Sequence, residues 1–229
     1  MKSKTKTIAA LIGIAVLSMQ FISCTKQADV TTSLNADDVS NSTTTISNAN
    51  LVAWYKFTRG NTADYSGNNN HLTAFNVTLD TDYMSRPKNA CYFNGFSSYM
   101  QAPNSSSLNP TSKISLVALF KPKGYYTGPG VQSRILMKGT DDQTNGDYFL
   151  GYNNTGDFYG TYGDGQFQSN GVGSPQNLLN LNTWYKLVYT YDGRVGKLYL
   201  NDVLVNKLVS TATFTPNSDP LNIGKNRKT

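Results

Sequence analysis

The stretch from Leu181 to Val205, LNTWYKLVYTYDGRVGKLYLNDVLV, constrains this chain more than any other. Trp184, Lys186, Val188 and Thr190 fall on one side of a period-two alternation, and Tyr185, Leu187, Tyr189 and Tyr191 on the other. Asp192-Gly193 and Asn201-Asp202 supply the residues that tolerate positive φ in tight turns. Lys197 to Leu200 alternates again, and Val203 opens a third strand. A meander with one aromatic and aliphatic face has to bury that face on a second sheet. The expectation is an all-β, two-sheet antiparallel sandwich, an architecture more often used to bind than to catalyse.

Composition agrees. The chain of 229 residues holds 15 Tyr, 10 Phe and 19 Gly with only 15% charged residues, which suits a fold of buried rings and frequent turns. The formal charge of +6 is modest. Lys2, Lys4, Lys6 and Lys26 lie at the N-terminal end, and Lys225, Arg227 and Lys228 read as a solvated end. No basic stripe with interleaved aromatics occurs, which argues against nucleic acid as a partner. Every acidic side chain is Asp; there is no Glu anywhere.

The first residues read as an address. Lys2, Lys4 and Lys6 precede an apolar run from Ile8 to Leu17, too short for a permanent membrane helix but right for the middle of an export signal. Phe21-Ile22-Ser23-Cys24 resembles a bacterial lipobox, with a small residue before the cysteine; the resemblance implies cleavage there and a lipid on Cys24. Residues 1–24 are thus expected to be a lipoprotein-type leader. Residues 25–48, rich in Thr, Ser, Asn and Asp, are expected to be a disordered tether, because they hold too little apolar surface to offset the entropy of ordering. Residues 49–229 are expected to form the folded domain. The implied location is the cell envelope of a bacterium, as an outer-membrane or cell-surface lipoprotein. Cys91, the other cysteine, alternates with Tyr92 and Phe93 and reads as a small buried apolar residue.

Within the domain, LVAWYKF (Leu51 to Phe57) reads as a strand, followed by the polar loop NTADYSGNNNHLT. ACYFNG and SYMQA read as a hairpin around Gly95-Phe96-Ser97, and ISLVALFK as a central strand. RILMK and YFLGY read as further strands. In this order, together with the 181–205 meander and PLNIG, these segments resemble the laminin-G-like branch of the concanavalin A-like lectin/glucanase superfamily from about Leu51 onward. The resemblance implies a jelly roll with one concave sheet, in proteins that bind glycans or other proteins. The chain departs from the family pattern at Phe93-Asn94-Gly95, where Phe-Asp-Gly is usual, and at Ser97 and Ser98, where acids often stand. The family's closing strand beside the first strand is also missing after Gly224, so a shortened chain or an open sheet edge is expected.

The superfamily's sugar-cutting members resemble one another in a Glu-x-Asp-x-Glu strand, and retaining hydrolysis needs two carboxylates about 5 Å apart. Without Glu, only Asp80 and Asp82, alternating in VTLDTDYM near a sheet edge, are left to attempt it. His71 lies alone in the polar loop. Catalysis is not expected. Two oxygen-rich loops, around Asp64 and around Asp141, Asp142 and Asp147, suit either calcium or ordinary Asx turns. Glycan recognition needs flat rings plus amides. The segment from Gly151 to Asn170 has both, which makes Tyr152, Tyr159, Tyr162 and Gln166 the candidate carbohydrate contacts. The expected function is non-catalytic carbohydrate binding at the cell surface. The alternatives are an adhesin-like module that docks a surface protein, or a fragment of a longer surface protein.

Overall fold

The computed structural model describes residues 10–18, 50–127, 132–139, 145–164, 171–210 and 215–225, of which 10–18, 145, 146 and 164 are described by their backbone alone. Among these, fifteen strands form two antiparallel sheets. They are β1 (Ala10–Ser18), β2 (Leu51–Tyr55), β3 (Thr73–Phe75), β4 (Thr78–Asp80), β5 (Ala90–Phe93), β6 (Tyr99–Ala102), β7 (Ile114–Pro122), β8 (Gln132–Lys138), β9 (Asn145–Asn153), β10 (Phe158–Asp164), β11 (Val172–Gly173), β12 (Tyr185–Tyr191), β13 (Val195–Leu200), β14 (Val203–Val209) and β15 (Leu221–Ile223). Sheet A runs β14-β13-β12-β7-β1-β5-β4 with β2 also on β1; sheet B runs β11-β10-β9-β8-β15-β6-β3.

The meander is as expected. Tyr185, Leu187, Tyr189 and Tyr191 are buried, and the intervening residues are not. Asn201 and Asp202 turn the β13–β14 hairpin at φ 49° and 69°, and Gly193 sits at φ 98° between β12 and β13.

The core fills the space between the sheets. Tyr55, Phe57, Phe93, Phe120, Tyr148, Tyr152, Phe158, Tyr162 and Tyr189 are all essentially inaccessible. A ring buried in this way contributes about 1.5–3 kcal/mol, provided its hydroxyl finds a partner. Tyr55 donates to Asn70 O at 2.6 Å, Tyr148 to Leu108 O at 3.1 Å and Tyr152 to Gly124 O at 3.0 Å. The sheets approach closely at Gly160, where a Cβ would stand 2.6 Å from Tyr189 Cβ. Cys91 is fully buried, and burial raises its thiol to about 12, in keeping with a packing role.

Two expectations change. ACYFNG and SYMQA are not a hairpin: β5 belongs to sheet A and β6 to sheet B. The Asn94 Oδ1 accepts hydrogen bonds from the backbone N–H of Phe96, Ser97 and Ser98, and Gly95 takes φ 76°, so the chain turns a corner between layers. Second, the sheet position beside the first strand of the domain is not open. Residues Ala10–Ser18, from the apolar N-terminal run, occupy it. Asp80 ends β4, which is an edge strand as its sequence suggested.

Candidate functional site

The side chains of sheet B that point away from the core build the candidate surface. On β9, Tyr148, Leu150 and Tyr152 face the core, so Phe149 and Gly151 face out; on β10, Phe158 and Tyr162 face in and Tyr159 and Thr161 out. Strand register then lines up one row across the sheet: Thr161, Phe149, Met137, Asn222, Gln101 and Thr73 are consecutive cross-strand partners. Gln101 Nε2 donates to Asn222 Oδ1 at 2.9 Å, which fixes two amides side by side in the middle of the row.

At the β10 end, Met137, Phe149 and Tyr159 form a second, separate apolar cluster that is itself buried, so this end of the row is packed and not open to a ligand. The Arg134 guanidinium lies 3.7 Å from the Phe149 ring centroid and donates to the Tyr159 hydroxyl at 3.1 Å. Phe149 and Tyr159 meet edge to face at 5.7 Å. Gly151 makes this possible: a Cβ there would be 2.6 Å from both the Tyr159 hydroxyl and Ser133 O. The Thr161 hydroxyl, buried on the same face, has no hydrogen-bond partner among the described residues.

At the β3 end, Phe75 and Tyr99 stack with centroids 4.5 Å apart, and the Lys225 ammonium sits 4.2 Å from the Tyr99 centroid. Phe75 is 38% exposed. Between the ends lies a cavity of about 170 Å³ lined by Gln101, Met137, Asn222, Asp219 and Lys225. It is smaller than a typical enclosed ligand pocket, so this face offers a shallow platform rather than a cleft.

Lys138 closes the inner side of the same strand. It is inaccessible, and its Nζ donates to Asn217 O at 2.9 Å and Asn217 Oδ1 at 2.7 Å. Burial lowers its pKa to about 8, against the pull of Asp219 and Asp147.

The sequence candidates scatter. Tyr159 lies on the outer face, in the arginine–aromatic cluster. Tyr152 and Tyr162 correct the expectation: alternation turns both rings into the core at 1% exposure, where burial raises both hydroxyls, Tyr152 to about 12. Gln166, Asp141 and Asp142 lie outside the described residues. Asp64 is a loop organiser rather than an open ligand. Its Oδ1 accepts from Trp54 N and Ser66 N, and its Oδ2 from Ser66 Oγ and Asn70 N. Asp147 accepts from Asn217 Nδ2 at 3.2 Å. Among the described residues no three His, Cys, Asp or Glu side chains converge on one point. The row residues Met137, Phe149, Gln101 and Asn222 are not among the sequence candidates, nor are Arg134, Phe75 and Tyr99. Alternation against the buried positions of each strand was the signal for them; pairing between distant strands was not readable.

Neither Asp80 nor Asp82 is set up as a general acid. Burial pushes the Asp80 carboxyl up, but the Lys123 ammonium at 2.7 Å and the Thr81 N–H outweigh it and hold it low. Asp82 is likewise desolvated, yet Arg86, through its backbone N–H and its guanidinium, and the Met84 N–H keep it low.

Sheet A carries aromatics on its outer face too. Trp54 is edge-on to Tyr65, with Lys56 Nζ 4.2 Å from each ring centroid; Trp184 is edge-on to Tyr83, with Lys121 at 5.3 Å.

Solved structures share this architecture. The binding domain of Paraclostridial Mosquitocidal Protein 1 superposes at a TM-score of 0.56 and 16% identity, over 72% of this chain and 42% of that one. Domain 4 of AbnA, a GH43 extracellular arabinanase from Geobacillus stearothermophilus solved in complex with arabinotriose, gives 0.54 and 17%, over 76% and 83%. The botulinum neurotoxin serotype D binding domain gives 0.51 and 16%, over 75% and 43%. The chain spans less than half the length of the two toxin domains, and at these identities the likeness is one of fold. No curated protein matches the sequence. Residues 93–229, more than half of the chain, match the Laminin_G_3 family of the concanavalin A-like lectin/glucanases superfamily, and the chain belongs to that family.

Proposed function

We propose that this protein is a non-catalytic carbohydrate-binding module of the bacterial cell envelope, with the outer face of sheet B as its binding surface. The observation that carries this reading is the Gln101–Asn222 amide pair beside the stacked Phe75–Tyr99 rings, the part of the cross-strand row that is open to solvent. Rings and paired amides side by side match a sugar's weakly apolar C–H face and its hydroxyls. The arabinotriose complex of the fold-mate from Geobacillus makes arabino-oligosaccharides the first ligands to try. The lack of Glu, with the Asp80 and Asp82 carboxyls both held low by their partners, supports binding without cleavage. Cys24 would carry the lipid and residues 25–48 the tether; radiolabelled palmitate incorporated by the full-length protein and lost in Cys24→Ala tests this. Calcium, if used, would be held by the loop that includes Asp141, Asp142 and Asp147; a melting temperature unmoved by a calcium chelator would remove it from the account.

Affinity electrophoresis through arabinan, xylan, mannan and glucan gels tests the central claim. The expected result is retardation on at least one polymer that Tyr99→Ala or Asn222→Ala abolishes and Trp184→Ala leaves intact. Retardation abolished only by Trp184→Ala would move the site to sheet A. No retardation on any polymer would favour the second reading, protein docking through the lysine-capped tryptophans of sheet A.

A further inference from the structure

The outer face of sheet A carries a stripe that the core does not use. Facing residues of paired strands share a side of the sheet. The register therefore lines up Trp54 of β2, the Val16 position of β1, Val117 of β7, Val188 of β12, Tyr199 of β13 and Leu204 of β14. Trp54, Val117, Val188 and Tyr199 are half-buried, and Leu204 is exposed. This row spans five strand spacings, about 24 Å. It breaks the rule that the solvent side of an antiparallel sheet is polar.

Lysines border the row on both sides. On one side the next row is Ser115, Thr190, Lys197 and Lys207, again consecutive partners. On the other side Leu119 faces Lys186, and the Lys121 ammonium lies 5.3 Å from the Trp184 ring centroid. Lys56 caps Trp54 and Tyr65, and Lys123 lies 4.9 Å from the Tyr92 centroid. Lys123 and Lys186 are ion-paired, to Asp80 at 2.7 Å and to Asp202 at 2.5 Å. Among the described residues Lys56, Lys121, Lys197 and Lys207 have no carboxylate within ion-pair distance. Asp192, in the β12–β13 turn, lies in the field of Lys197 and Lys113, but its Oδ1 is held by the Arg194 and Val195 N–H groups. Lys197 and Lys207 stand directly opposite each other, a pairing that destabilises the sheet. A lysine on the edge strand β14 also discourages pairing with other chains. That role fits Lys207 and does not extend to Lys197 and Lys121, which lie on interior strands.

We infer that this face lies on an anionic lipid surface. The unpaired cations call for a negatively charged partner, and the apolar row between them calls for one with an apolar layer beneath its charges. A bilayer supplies both. The row and the exposed Leu204 and Val209 meet the headgroup boundary, where tryptophan and tyrosine rings are also at home. The lysines lay their stems along the apolar side chains and reach the lipid phosphates with their ammonium groups. A second copy of the same face does not fit, because it would set lysines against lysines. An acidic polysaccharide would satisfy the ammonium groups but leave Val117, Val188 and Leu204 without a partner. Seated in this way, sheet A faces the membrane and the outer face of sheet B points away from it. The assignment does not depend on a lipid at Cys24.

Both tryptophans of the chain, Trp54 and Trp184, lie on this face, so their fluorescence reports contact directly. The full chain is mixed with phosphatidylcholine vesicles, with or without phosphatidylglycerol, and with a phosphatidylcholine brominated near the headgroup as quencher. The expected result is flotation with the anionic vesicles alone, quenching of the tryptophans by the bromines, and release at high salt. Lys197→Gln combined with Lys207→Gln should weaken association at least about tenfold. Leu204→Ser should also weaken it by about tenfold. Both variants should melt no earlier than the parent; if the lysine pair variant does melt early, Lys121→Gln carries the same test at about fivefold. Association driven by the basic N-terminal run would leave the tryptophans unquenched and the lysine variants unaffected, and either result overturns the proposal. So does equal flotation with uncharged vesicles, or none with anionic ones. Retardation on a polygalacturonate gel without vesicle association overturns it too, and gives the face to an acidic polysaccharide. The vesicle readouts contain no sugar, so their failure leaves the carbohydrate reading of sheet B standing.

Discussion

The two faces of sheet B draw on the same ring-rich strands and put them to opposite uses. Inward, Tyr148 and Tyr152 send their hydroxyls to backbone carbonyls and lose contact with water, and Phe158 packs on Phe120 and Tyr185. Outward, Phe149 and Tyr159 gather around a guanidinium, and the row continues into amides and the stacked Phe75–Tyr99 pair. What separates a tyrosine of the inter-sheet core from one of the outer cluster is therefore strand parity, not neighbourhood in sequence: Tyr152 and Tyr159 are both nearly inaccessible, yet they belong to different clusters.

The comparison breaks most directly at the core. Phe158→Ala should cost about 3–5 kcal/mol in urea unfolding while leaving sugar affinity per folded molecule unchanged; lost affinity in a folded variant would mean the faces are not separable. Next comes Gly151→Ala. Its new methyl would meet the Tyr159 ring and Ser133 O, so a cost of about 1–3 kcal/mol is expected. This time affinity should fall too, by about tenfold, because the ring is driven off its seat. Calorimetric titration beside the melting curve reads both effects.

Lys138 gives a pH test of the inner side. Its folded pKa of about 8 lies below the ordinary 10.5, so between those values the unfolded chain binds more protons. Stability should accordingly rise as pH increases from about 8 toward 9.5, and the cost of the buried ammonium should be fully present below about pH 8. Lys138→Met should flatten that rise in denaturant midpoints measured from pH 7.5 to 9.5; an unchanged slope would mean the amine is not the source. The smallest stability change belongs to the rim of the platform. Phe75→Ala should stay within about 1 kcal/mol, since the ring is well exposed, yet weaken sugar binding about tenfold, or 1.4 kcal/mol.

The sandwich was legible because local patterns dictate it. The 185–191 alternation, the Asn201-Asp202 turn and the edge position of Asp80 all follow from residue type and period. The candidate surface was legible only at Tyr159. Its other members come from β3, β6, β8, β9, β10 and β15, spread along the chain, and nothing in a short window reports that Gln101 will stand beside Asn222. The Asn94 corner was misread for a related reason: a turn-forming Asn-Gly looks the same whether the chain doubles back or crosses to the other layer.

The central place of β1 also sets a timetable. Leu17 meets Ala53 of β2 early but has no partner on its other side until Leu116 has been made, and Ala10 waits for Phe93 and then Pro122. At about 5–20 residues per second, the N-terminal run waits on the order of 5–20 s for its β7 ladder while the intervening chain is made. Non-local closure of this sort is slow even when all residues are present. The β7 ladder therefore closes last, after the β2 and β5 partners on the other edge of β1 have already been made.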